Sequence, residues 1–114
     1  MTQPHADYDT IVVGGGPSGA TAAHELANKG HRVLLLERGF RIKPCGGAIP
    51  PCLLQEFNIP DHLVVARIRS ARMISPKGQS VDMPIDGTFV GMVDRDEFDP
   101  WLRQRASEAG ATVV

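Results

Sequence analysis

The sequence has few cysteines and no long apolar run. Its two cysteines, Cys45 and Cys52, stand seven positions apart. That spacing fits neither a zinc site nor c-type haem attachment, and two thiols are too few for a disulfide framework. A reducing, cytoplasmic setting follows. No stretch approaches the roughly 18 apolar residues of a membrane-spanning helix. Basic charge is not in excess either. The formal net charge is −1, and none of the usual basic or aromatic nucleic-acid motifs occurs, so no nucleic-acid partner is expected. His5, His24, His31 and His62 are scattered and read as structural or surface residues, so no metal is expected. The start, Met1 to Asp7, has no basic and apolar leader and is too short and arginine-poor for a transit peptide. Internal repeats and low-complexity segments are absent. With 42% hydrophobic and 22% charged residues in 114, what remains is an ordinary globular domain.

The most informative stretch is Tyr8 to Glu37. Ile11-Val12-Val13 has the β-branched character of a strand buried on both faces. Gly14-Gly15-Gly16-Pro17-Ser18-Gly19 follows and reads G-x-G-x-x-G. Ala22, Ala23, Leu26 and Ala27 then mark a helical stripe over Ala20 to Lys29, with Gly30 as its cap. His31 to Leu36 is a second strand, and Glu37 ends it, 23 residues after Gly14. This order of strand, glycine turn, helix, strand and acid is the signature of a dinucleotide site. In such a site Gly14 makes the tight turn, Gly16 gives the pyrophosphate room, and Gly19 lets the helix approach the strand. An acid at position 37 suits an unphosphorylated ribose, which favours FAD or NAD over NADP there.

Arg38 to Pro60 is rich in proline and glycine and reads as a loop, with a short helix over Cys52 to Phe57. A loop of this length in a compact domain is usually functional. At its centre is Lys43-Pro44-Cys45-Gly46-Gly47-Ala48-Ile49-Pro50. Two readings stay open for it: backbone brought close to something flat or bulky, or a turn beside an inert thiol. From Val64 to Met83 the period becomes two, around a turn at Pro76-Lys77-Gly78, which predicts a β-hairpin with one wet face. Its arginines, Arg67 and Arg69, read as a solvated face more readily than as a site for an anionic substrate. Phe89 to Val93 is a further strand. The spacing of Phe98, Trp101, Leu102, Ala106 and Ala109 predicts a helix. Pro100 is comfortable only in a first turn, so regular helix is expected from about Asp99. Gly110 ends it, and Ala111 to Val114 begins a third parallel strand. A parallel sheet needs helices on both faces, so the chain reads as the N-terminal portion of a longer protein.

Three stretches together carry a resemblance. The dinucleotide turn, Pro44-Cys45-Gly46-Gly47-Ala48-Ile49-Pro50 and Gly91-Met92-Val93-x-Arg95 resemble the geranylgeranyl reductase family, in particular its chlorophyll and bacteriochlorophyll branch. The resemblance runs from Tyr8 to the last residue. It implies an α/β, Rossmann-like FAD-binding domain of the para-hydroxybenzoate hydroxylase fold, incomplete here, with a β-hairpin excursion. The core would be 8–62 and 89–114, and the 63–88 hairpin would join an absent substrate domain. FAD would lie on Gly14, Gly16, Pro17, Ser18 and Gly19, its ribose on Glu37, and its adenine end near Arg38. Arg95 would reach FAD from the start of its helix. Cys45, Gly46 and Gly47 would approach the isoalloxazine. There Cys45 either positions the alkene or donates a proton, or else packs on the flavin.

The implied reaction is reduction of isolated double bonds of a geranylgeranyl chain to phytyl, with NADPH as donor. The partner would be a prenylated pigment or geranylgeranyl diphosphate. The implied location is cytoplasmic, with peripheral association at a photosynthetic membrane through the hydrophobic substrate. The fragment alone is expected to lack full activity. Alternatives are an archaeal-type prenyl-lipid reductase, an aromatic monooxygenase of the same fold, and a non-catalytic nucleotide-binding module.

Overall fold

The computed structural model describes residues 5–39 and 41–114. Met1 to Pro4, part of the start read above, lie outside the described residues, as does Phe40 of the long loop. Along the chain run β1 (Thr10–Val13), α1 (Pro17–Asn28), β2 (Val33–Leu36), β3 (Ala48–Ile49), α2 (Pro51–Glu56), a 3₁₀ turn (Asp61–Leu63), β4 (Val64–Ile68), β5 (Ser70–Ile74), β6 (Ser80–Pro84), β7 (Val90–Val93), α3 (Arg95–Glu108) and β8 (Thr112–Val113). They fall into two compact units. One is the chain up to Ile42 with Asp96–Val114, and the other is Lys43–Arg95.

The first unit is a parallel sheet in the order β1-β2-β8. Pairing of Thr10 with Val33 and Val12 with Leu35 sets one face. Val33 and Leu35 are buried there, as are Ala20, Ala23 and Ala27 of α1. The alanines bring α1 close because they put so little volume between helix and sheet. Both long helices end in the same paired hydrogen bonds. Gly30 N–H donates to Ala27 O and His31 N–H to Leu26 O; Gly110 N–H donates to Ser107 O and Ala111 N–H to Ala106 O. These satisfy the last carbonyls of each helix. At the other end of β1, the Arg32 guanidinium and amide grip the Asp9 carboxylate at 2.8 Å.

Two expectations are corrected in this unit. β1 is not buried on both faces: Ile11 is 58% and Val13 82% exposed, because alternate residues of a strand face opposite sides and only one side of this one is covered. The regular helix of α3 starts at Arg95, not near Asp99, with Pro100 inside it. Proline has no N–H, so the helix runs one hydrogen bond short. The burial of Phe98, Leu102 and Ala106 outweighs that loss.

The second unit is an antiparallel sheet in the order β3-β7-β4, with a two-stranded ribbon, β5-β6. Ile49, Ile59, Leu63, Val64 and Val93 are its buried side chains. A register shift between Val64 and Ala66 leaves Val65 as the extra residue of a bulge. The ribbon's turn is where the sequence places it: Ser75 N–H donates to Gln79 O and Gly78 N–H to Ser75 O.

The extent of the expected hairpin is revised. Val64–Ile68 pairs with β7, and only Ser70–Ile74 and Ser80–Pro84 form the ribbon. A period of two runs through both segments, so it cannot mark where the chain leaves one sheet for another. Nor is just one face wet: every residue of β5 and β6 is exposed. Pairing of Met73 with Val81 and Ala71 with Met83 puts an apolar face on one side. The Arg72–Asp82 ion pair, 2.7 Å, lies on the other.

Candidate nucleotide-binding site

The site is built where β1 hands over to α1. Gly14 continues the parallel ladder by donating its N–H to Leu36 O at 2.7 Å. Its φ of +107° is a conformation that residues with a Cβ rarely adopt. The chain thereby turns out of β1 over Gly14 to Gly16 and enters α1 at Pro17. Proline suits that first helical position because its missing N–H would have no partner in the helix.

Gly19 and Gly16 are glycines for opposite reasons. A Cβ on Gly19 would overlap the carbonyl oxygen of Gly14 and sit 3.3 Å from Val12 Cγ1. The absence of a side chain at 19 is therefore a packing requirement of the turn itself. A Cβ on Gly16 would meet nothing within 4 Å. The backbone there, φ −72° and ψ −174°, is open to any residue. Among the described residues no contact requires a glycine at 16, which leaves open space beside the turn. Among the described residues no side chain caps the N-terminus of α1, and no acid lies in its first turn. Its leading N–H groups and partial positive charge are thus turned to the same region, suited to phosphate. Ser18 is exposed there.

Glu37 closes the site from the end of β2. Its Oε1 accepts the Gly15 N–H at 2.9 Å and its Oε2 accepts the Gly39 N–H at 2.9 Å. The amides of Gly39 and Gly15, helped by the nearby charges of Arg103 and Arg38, hold this carboxyl below the usual range. It is an anion at neutral pH, with lone pairs left to accept hydroxyl hydrogens. Arg38 is exposed beside it.

The structure thus brings Gly14, Gly16, Pro17, Ser18, Gly19 and Glu37 together, with Arg38 adjacent. Cys45, Gly46, Gly47 and Arg95 belong to the other unit. There the Cys45 sulfur accepts the Gly47 N–H at 3.4 Å, and the thiol is exposed. Gly47 has φ +74°, and a Cβ on it would overlap Val93 O. Its own carbonyl accepts the Val93 N–H at 2.8 Å. Gly46 is exposed with open space around it, and Arg95 is the half-buried first residue of α3.

Sequence reasoning missed one residue of the turn and one that holds it from α3. Gly15, an "x" of the motif, is boxed in: a Cβ there would lie 3.0 Å from both Arg103 Cδ and Glu37 Cβ. Arg103 donates from Nη1 to Gly15 O at 2.9 Å. It lies far along the chain on α3, and no local pattern signals it.

An NAD(P)-binding Rossmann-like domain model matches residues 12–50. A geranylgeranyl diphosphate reductase of Rhodobacter capsulatus is 64% identical over 104 residues, which cover 91% of this chain and 27% of that protein. Over nine tenths of its length the chain is similar to geranylgeranyl diphosphate reductases. It spans about a quarter of the length of those reductases. Among solved structures, a geranylgeranyl bacteriochlorophyll reductase-like protein from Thermoplasma acidophilum superposes with a TM-score of 0.82 at 30% identity, covering 93% of this chain and 29% of that one. A myxobacterial chondrochloren halogenase, a variant of FAD-dependent halogenases, superposes with a TM-score of 0.76 at 27% identity, covering 93% and 28%. The fold is the Rossmann-like α/β fold of the FAD-dependent oxidoreductases and halogenases, and a flavin is the cofactor it supports. Among the described residues, no helix is long and apolar enough to cross a membrane. Nor does any group of three or more His, Cys, Asp or Glu side chains among them suit a metal ion.

Proposed function

We propose that the protein is an FAD-dependent reductase of geranylgeranyl chains in chlorophyll or bacteriochlorophyll synthesis, taking electrons from NADPH. The observation that carries this reading is the 64% identity to a protein named for that substrate. The glycine turn fits the cofactor, since the space beside Gly16 is the room a pyrophosphate needs. Gly14, Gly16, Pro17, Ser18 and Gly19 hold the pyrophosphate, Glu37 the ribose, and Arg38 the adenine end. Arg95 reaches the cofactor from the start of α3, and Cys45, Gly46 and Gly47 approach its ring system. Bound reduced flavin supplies hydride equivalents to an alkene.

An isolated alkene is a poor hydride acceptor, so this chain's task is to hold the ring against it and exclude water. In this reading Cys45 lies at the alkene, positioning it or giving it a proton. The β5-β6 ribbon, with Met73, Val81 and Met83 exposed on one face, joins the substrate domain. The substrate is a prenylated pigment or geranylgeranyl diphosphate. The protein is cytoplasmic and meets the membrane only through that substrate.

The test is product analysis. The complete protein that carries this chain is incubated without oxygen with NADPH and either geranylgeranyl-esterified pigment, geranylgeranyl diphosphate or a geranylgeranylated glycerophospholipid. Stepwise gain of hydrogen pairs on the pigment or the diphosphate is expected. Turnover of the glycerophospholipid alone, or a hydroxylated aromatic product when oxygen is admitted, would sink the proposal.

A further inference from the structure

We infer that Arg103 is a positioning residue for the phosphate-binding turn, fixing the peptide plane that aims the Gly16 N–H at the cofactor's pyrophosphate. The inference rests on the flavin-binding reading above and adds a residue to it. Three contacts motivate it. Gly15 N–H is held by Glu37 Oε1 at 2.9 Å, which sets the peptide between Gly14 and Gly15. The Gly14 carbonyl of that peptide lies where a Cβ of residue 19 would be, so it has no freedom on that side. The next peptide, between Gly15 and Gly16, is held through Arg103 Nη1 on Gly15 O at 2.9 Å, in a part-buried position.

A trans peptide points its carbonyl and its following N–H in opposite directions. Capturing Gly15 O from α3 therefore turns the Gly16 N–H away from α3. A peptide flanked by glycines on both sides resists rotation least of any in the chain. Glu37 restrains only the peptide before it. Without Arg103, the Gly16 N–H would have to be oriented at the moment of binding, and affinity would fall by that cost. α3 is anchored independently by Phe98, Leu102 and Ala106, which are buried.

The experiment uses two variants of the complete protein. Arg103→Met keeps an unbranched stem beside Gly15 but has no donor. Arg103→Lys keeps a charged donor. The Kd for FAD is read from flavin fluorescence on apo-protein, and the Tm of the apo form is recorded beside it. A hydrogen bond from a charged donor is lost in the first variant, so its Kd should rise about tenfold while Arg103→Lys stays within about threefold of the parent. The apo Tm of both variants should match the parent's.

Unchanged affinity in Arg103→Met overturns the inference, and so does equal weakening in the two variants. A fall in apo Tm with FAD affinity kept also overturns it, since Arg103 would then serve only the fold. A parent protein that binds no FAD removes the flavin reading itself, an outcome distinct from a parent that binds FAD and a Met variant that binds it equally well.

Discussion

The same methyl group placed at Gly16 or at Gly19 should have opposite effects, and the structure says why. At Gly19 the added carbon overlaps Gly14 O and comes within 3.0 Å of Gly14 C. Those atoms belong to backbone anchored at 2.7 Å to Leu36 O, so they cannot swing aside as a side chain would. Overpacking of this kind costs about 1–3 kcal/mol. The gain of alanine over glycine in a helix returns at most ~1 kcal/mol. Gly19→Ala should therefore destabilise the apo-protein by about 1–2 kcal/mol, a fall of roughly 2–8 °C in Tm for a cooperative unit of about 150–250 residues. At Gly16 the methyl meets nothing within 4 Å, and the backbone is already in a region open to alanine. The apo-protein should keep its Tm or gain slightly, by about 0.4–1 kcal/mol from the stiffer unfolded chain. Its FAD affinity should fall, and Gly16→Val should deepen that fall without touching Tm. The assay is differential scanning calorimetry of the apo forms with FAD titration of each. A Gly16→Ala protein that melts early and binds FAD normally would refute the reasoning, because room at 16 would then serve the fold and not a ligand.

Three further outcomes are expected. The Arg32 side chain and amide lower the Asp9 carboxyl from 3.8 to about 2. A carboxyl depressed in the folded state adds stability above its unfolded value and loses it as pH falls toward the folded one. The Tm gap between the parent and Asp9→Asn should thus be widest at neutral pH and close as pH falls from 3.8 to about 2; a gap independent of pH would contradict the pairing. Gly47→Ala forces a Cβ onto Val93 O at a φ of +74°. It should cost about 2–4 kcal/mol, read as faster hydrogen exchange at the Val93 amide. Cys45→Ser should lower prenyl reduction per bound flavin more than it lowers flavin content, measured as occupancy beside turnover; equal turnover per flavin would leave Cys45 as packing.

What the sequence revealed was what is local. The β1-turn-α1-β2 unit depends on neighbours within a few residues, so its glycines, its cap and Glu37 could be read directly. The two-residue β3 could not, because Ala48–Ile49 is a strand only by pairing with Met92 and Gly91. The break between β4 and β5 was hidden by an unbroken period of two. Pro100 misled because its local penalty was set against no tertiary gain. The exposed Ile11 and Val13 look like core in sequence, since a strand's apolar run does not tell which of its faces is covered. Arg103 is the extreme case: its bond to Gly15 spans 88 positions and leaves no pattern in either segment.

We propose that this chain grips the AMP and pyrophosphate half of FAD. The most direct test is competition binding on the complete apo-protein. FAD is titrated by fluorescence quenching, and ADP and FMN are then added separately as competitors. We expect one FAD per chain, displaced by ADP, with FMN far weaker because it lacks the half that Gly16, the start of α1 and Glu37 hold. FMN binding as tightly as FAD, or displacement by FMN with ADP inert, would contradict the account.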